Sequence, residues 1–329
     1  MPPKSRHSFV RLGILLVLLA GAVWVLLNRQ FVIDQLTVWQ YKPSSDITAI
    51  ANRASFNDTG RFLFYASRPQ ISDRAEFNRQ CRRLVEKTAI LGCYVNRQIF
   101  VFDITDQRLD GIKEVTAAHE MLHAAYDRLS TSEKTRVDAL ISQQAERITD
   151  QKLRDRLALY DQTEPGERLN ELHSILGSEI DNLSSELETY YKQYFTDRAA
   201  LVALSNKYET VFNEIEAKQT SLIDELNRLA DQVSAASDVY TKALATLQAD
   251  INNFNARARS GGFTSQAAFN TERDRLLARQ EKLQADRLAI NANIDVYNQK
   301  KAELDALNTT AEGLQKSINS TALPEAPAL

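Results

Sequence analysis

The longest uninterrupted apolar stretch lies at the start of the chain, where Leu12 to Leu27 carries no charged residue, follows Lys4, Arg6 and Arg11, and ends at Asn28 and Arg29. As a helix it spans about 24 Å, Phe9 and Val10 extend it, and Arg11 can snorkel, so the pattern predicts one membrane-spanning helix. The basic residues ahead of it should stay cytoplasmic and everything after Arg29 should lie outside. Ala20-Gly21-Ala22 also fits a signal-peptidase site, the competing reading. The apolar run continues past Ala22, which favours an uncleaved anchor.

Beyond the anchor the periodicity is mixed. Asp46 to Ala54 reads as a short helix capped at Ser45, Arg61 to Ser67 as a strand, and Asp73 to Leu91 as a second helix. Cys93 to Val95 and Gln98 to Ile104, separated by Asn96 and Arg97, read as a hairpin. From Gly111 onward the segments are helical: Ser132 to Ile148, Lys152 to Tyr160 and Pro165 to Ile180. A small, mostly helical α+β domain over 30–183 is expected.

From about Ser184 the pattern becomes a 3-4 stripe, running from Leu201, Leu204, Tyr208 and Val211 to Leu247, Ile251 and Phe254. Ser260-Gly261-Gly262 interrupts it, and a second stripe of similar length runs from Phe269 through Leu283 and Leu304 to Ile318. Two matched helices around a glycine turn predict an antiparallel coiled-coil hairpin over 184–319, each arm about 80 Å long. The division is therefore 1–29 cytoplasmic tip and anchor, 30–183 globular domain, 184–319 hairpin, and a disordered Pro-rich tail over 320–329.

Composition narrows the function classes. A net charge of -3 with acidic and basic residues interspersed gives no electrostatic footprint for nucleic acid. The only cysteines, Cys81 and Cys93, lie close together, and outside the cell they predict one disulfide contributing about 3 kcal/mol. Their spacing is not that of a structural zinc site.

The chemistry concentrates in His119-Glu120-Met121-Leu122-His123. On a helix, positions i and i+4 share a face, so the two imidazoles can meet one ion while Glu120, about 100° round, serves as general acid and base. A catalytic zinc needs a third protein ligand and an open position for water. Asp127 is too far along the same helix to converge, so a second helix must supply that ligand. The one after Pro165 offers Glu167, Glu171, His173 and Glu179. Tyr126, Tyr160 and His173 are candidate oxyanion donors, with nothing to choose among them.

Here the sequence resembles the gluzincin metallopeptidases, whose H-E-x-x-H helix is followed by a helix bearing a ligand Glu within N-E-x-x-S-D. The matching residues are Asn170, Glu171 and Ser174, while Ile175 stands where the family has the Asp that orients the first zinc histidine. The resemblance, confined to these two motifs, implies Glu171 as third ligand; His173 remains the rival among the residues that helix offers, giving a three-His site. It also implies a zincin-like fold, with an antiparallel sheet beside the active-site helix and Gln98 to Ile104 as its edge strand. The expected function is peptide-bond hydrolysis by a zinc-activated water, most simply by an endopeptidase that takes an extended peptide or protein substrate by strand addition. From a different class, an envelope scaffold or adaptor with a structural or degenerate metal site is the alternative. In either case the coiled coil is available for self-association or a protein partner.

Overall fold

In a computed structural model, which describes residues 6–81, 90–163 and 166–321, the apolar run forms α1 (Arg6–Leu27). The chain then turns at Asn28 into a helix that the sequence pattern did not announce, α2 (Arg29–Gln40). Among the described residues no single helix is long and apolar enough to cross a membrane. The α1–α2 pair passes that test together, bent by 83°.

Local capping corrects the next two expectations. The first helix, α3 (Ser45–Arg53), is capped by Ser44, not Ser45: the Ser44 hydroxyl accepts from the Ile47 N–H at 3.2 Å. The segment expected as a strand, Arg61 to Ser67, lies largely within α4 (Asp58–Ala66). Its aromatic residues have strand propensity, but the Asn57 side chain accepts from the Gly60 N–H at 3.0 Å and starts a helix that buries Leu63, Phe64 and Ala66.

The sheet has three strands, β1 (Gln70–Ser72), β2 (Gly92–Val95) and β3 (Gln98–Phe102), in the order β1-β3-β2. The expected hairpin forms between β2 and β3, with Asn96 and Arg97 at φ 51° and 62°, the left-handed pair that a two-residue turn requires. The edge-strand expectation was wrong: β1 pairs parallel with β3 on its other side, so among the described residues β3 is central and β1 and β2 are the edges. The sheet is mixed rather than antiparallel. Ile99 to Phe102 are all buried, as suits a strand covered on both faces.

Asp73 caps α5 (Arg74–Gln80), and the predicted continuation toward Leu91 enters 82–89, outside the described residues. The disulfide between Cys81 and Cys93 is present and ties the end of α5 to β2. Next come α6 (Ile112–Asp127), α7 (Thr131–Ala145), α8 (Gln151–Thr163), α9 (Arg168–Ser178) and α10 (Ser185–Tyr191). A capping box of Ser130 and Glu133 opens α7. Helices α6 and α9 are the central packed pair, sharing a core of Ala118, Met121, Leu122, Leu172, Ile175 and Leu176. Their closeness needs Gly177, since a Cβ there would lie 2.4 Å from Leu122 Cδ1.

Two compact units result, Met1–Val211 with Gln315–Leu329, and Phe212–Leu314. The long helices α11 (Arg198–Arg259) and α12 (Gln266–Ile318) contribute to both units. The first unit carries α10 and the start of α11 in its core through Leu187, Tyr190, Tyr191 and Leu201. In the second, the helices pair antiparallel through Lys218–Glu303, Glu225–Lys300 and Arg257–Glu272, and Phe254, Phe263 and Phe269 pack beside the Gly261 turn. The tail segment read as Pro-rich, 322–327, lies outside the described residues.

Candidate metal centre

Helix α6 presents His119 and His123 one turn apart, and α9, packed across it, brings Glu171 to the same point. The His119 and His123 Nε2 atoms are 3.1 Å apart, and the Glu171 carboxylate oxygens lie 3.5 Å from the first and 3.4 Å from the second. A tetrahedral ion about 2.0–2.1 Å from each ligand has ligand–ligand edges of about 3.3–3.4 Å. The two carboxylate distances run to different oxygens, and one donor atom from each residue lies within 4.8 Å of the others, so the cluster could hold a metal ion once the side chains close slightly around it.

The outer nitrogens of both imidazoles are also engaged. His123 Nδ1 donates to Asn170 Oδ1 at 3.0 Å, and Asn170 in turn donates to the Glu167 carboxylate at 3.0 Å. His119 Nδ1 lies 3.4 Å from Glu179, which Arg156 holds at 2.6 Å. Partners of this kind orient each ring so that its Nε2 points toward the Glu171 carboxylate. Glu179 thus meets the outer nitrogen of His119. The end of α9 that carries it is secured by Arg198, whose guanidinium donates to the Leu176 and Ile180 carbonyls and pairs with Glu188.

Electrostatics favour a positive charge here. Burial opposes protonation of His119, but its hydrogen bonds to Glu171 and Glu179 prevail and push its pKa up to about 10. Burial would raise Glu179 too, yet Arg156 and His119 hold it down to about 2. Glu171 is lowered against its burial by the two imidazoles, whereas burial leaves His123 below the ordinary histidine value. Without metal, the proton on His119 supplies the positive charge that the carboxylates attract.

No protein-family model, curated protein or solved structure matches the chain. The site therefore stands on its own geometry.

Glu120 is buried and lies against the edge strand: a Cβ added to Gly92 would come within 2.7 Å of Glu120 Oε1, so a glycine is required where β2 crosses it. The other candidates are placed elsewhere. His173, the alternative ligand, is fully buried; its Nε2 lies 2.8 Å from the Tyr190 hydroxyl, and burial lowers its pKa to about 3. Tyr126 donates to Asp138 at 2.8 Å, Asp127 accepts from Tyr94, and Glu167 braces Asn170. The Tyr160 side chain lies outside those described. Sequence reasoning missed the orienting roles of Asn170 and Glu179 and the brace by Arg156. The one available signal was spacing, since Glu179 follows Glu171 by eight residues, returning close to the same helix face.

Proposed function

We propose that the chain is a membrane-anchored, zinc-dependent metallopeptidase with a gluzincin-like ligand set, His119, His123 and Glu171, on a zincin-like domain. The observation that carries this reading is the convergence of two imidazoles and one carboxylate, with one donor atom from each within 4.8 Å of the others. Two imidazoles and one carboxylate with a fourth position open are the donor set of catalytic zinc. When bound, the ion supplies Lewis acidity and lowers the pKa of water at the open position to about 7. Glu120, next in sequence to the first ligand, accepts a proton from the attacking water and returns it to the leaving amine. A purely structural site would have no use for that carboxylate.

Substrate placement follows from β2. It pairs with β3 on one side, is one of the two edges of the described sheet, and runs against Glu120 at Gly92. An extended peptide added along this edge would carry its backbone past the base, which favours cleavage within a chain over trimming of its ends. The anchor reading rests on the apolar run Leu12 to Leu27 of α1, about 24 Å as a helix and exposed along its length, followed at the bend by α2. The basic residues before it orient the metal centre to the extracytoplasmic side.

The test is zinc content of the purified full-length chain together with cleavage of a quenched fluorescent peptide library. About one zinc per chain is expected, with cleavage about 10²- to 10⁴-fold slower in Glu120→Gln at unchanged zinc content. Folded protein that takes up no zinc after repletion, or equal cleavage by both forms, would overturn the proposal.

A further inference from the structure

Helix α2 has the polarity of a water-exposed helix turned inside out. Its inward face carries Asp34, only 4% exposed, while Ile33, Leu36 and Trp39 on the outward face are 50%, 53% and 81% exposed. The inward carboxylate is fully engaged. Arg128 donates to it through Nε at 2.8 Å and Nη2 at 3.0 Å, and Gln30 adds a third bond at 2.8 Å. The same guanidinium donates from Nη1 to the Tyr94 hydroxyl on β2 at 3.1 Å and to the Ala124 carbonyl of α6 at 2.8 Å. One buried ion pair thus clamps α2 to both the metal-binding helix and the edge strand, and breaking such a pair strands a charge in the interior.

The outward face needs an occupant, because a protein surface in water does not place large apolar side chains there in series. Continuity identifies it. The apolar α1, exposed along 11–27, leads into α2 through Asn28 alone, and the turn is 83°. A helix leaving a bilayer at nearly a right angle runs along its surface. Trp39 is the most exposed residue of that outward face, as suits an indole at the headgroup level, and the exposed Arg29 and Lys42 flank the helix, suiting anionic lipid.

We infer that α2 lies in the plane of the membrane, with Ile33, Leu36 and Trp39 in the headgroup region, and that the Asp34–Arg128–Tyr94 latch holds the metal centre at that surface. The inference rests on the reading of α1 as an anchor. Arg128 lies only five residues past His123, about 7.5 Å along the helix. The polypeptides within reach are then stretches next to the outer face of the bilayer, a narrower class than free peptides.

The test uses the full chain in phosphatidylcholine–phosphatidylglycerol vesicles, with Trp24→Phe so that Trp39 is the only tryptophan, and with Trp39→Phe as the reporter on α1. Trp39 emission should be quenched most by lipids brominated near the headgroup and shielded several-fold from aqueous acrylamide, while Trp24 should be quenched by lipids brominated deeper in the chains. Deep quenching of Trp24 with Trp39 open to acrylamide would overturn the inference and leave the anchor standing. Trp39 shielded yet untouched by any brominated lipid would mean that a protein surface covers the face, which also overturns it. Failure of the chain to float with vesicles would overturn the anchor and the inference together.

Discussion

The metal centre and the paired-helix unit both abound in charged side chains, but they use them differently. Along the second unit, Lys218–Glu303 is a rung between exposed residues and Glu225–Lys300 one between half-exposed residues, and water can reach both. At the metal centre, His119, His123, Glu171 and Glu179 converge with little exposure, and each is held by a partner that water would replace poorly. Burial and convergence make the difference. A carboxylate on the hairpin sets solubility and register, whereas one beside His119 sets what the protein can bind.

The sharpest way to break this comparison is Glu171→Ala, which should drop bound zinc from about one ion per chain to a trace and peptide cleavage to background, read by elemental analysis and the fluorescent assay. His173→Ala, at a residue buried against Tyr190 outside the triangle, should leave zinc in place. If the two variants behaved in the opposite way, the ligand set would be wrong.

Next in size is Glu179→Gln. It keeps the shape but removes the charge that holds His119 Nδ1, and zinc affinity should weaken about 10- to 100-fold by competition with a chromophoric chelator. An unchanged affinity would reduce Glu179 to packing.

A smaller effect concerns pH. In the metal-free protein His119 is raised from 6.5 to about 10, so it enters the metal-binding reaction protonated at pH 7. Zinc must displace that proton: affinity should climb with pH between about 6.5 and 10, and titrations in buffers of different ionisation enthalpy should show release of about one proton per ion. The same shift fixes the sign for stability without metal. The His119 contribution is fully present below pH 6.5 and lost as pH rises through about 10, while that of Glu179, lowered to about 2, is present above its ordinary 4.5 and lost as pH falls through about 2. Glu179→Gln should flatten the alkaline arm of a Tm-against-pH curve.

The least change is expected on the hairpin, where Lys300→Ala should leave Tm within error, since its partner Glu225 stays solvated. A clear drop would show that surface pairs there matter more than their exposure implies.

What could be read in advance was local. His119, Glu120 and His123 are set by helical spacing within five residues, the β2–β3 hairpin by two apolar runs around Asn96 and Arg97, and the long helices by their stripes. Glu171 was reached through a motif resemblance, and the packing of α9 on α6 placed its carboxylate beside both imidazoles. Reasoning from propensity misread Arg61 to Ser67, because aromatic residues fit strands and buried helix faces equally well and the deciding cap at Asn57 is one side chain outside the segment. Strand β1 was missed because three residues carry too little pattern, and its absence put β3 at the edge.

By itself the sequence determined the helical pair of histidines, the β2–β3 hairpin and the two long helices, since turn residues and helical periodicity act over a few residues. Only the tertiary structure decided which residues share the site. Whether Asn170 or Glu179 meets an imidazole, whether His173 faces an ion or a tyrosine, and whether Asp34 points to solvent or to Arg128 all depend on how helices far apart in the chain pack. That packing is set by Gly177, Leu122 and the shared core rather than by any local pattern.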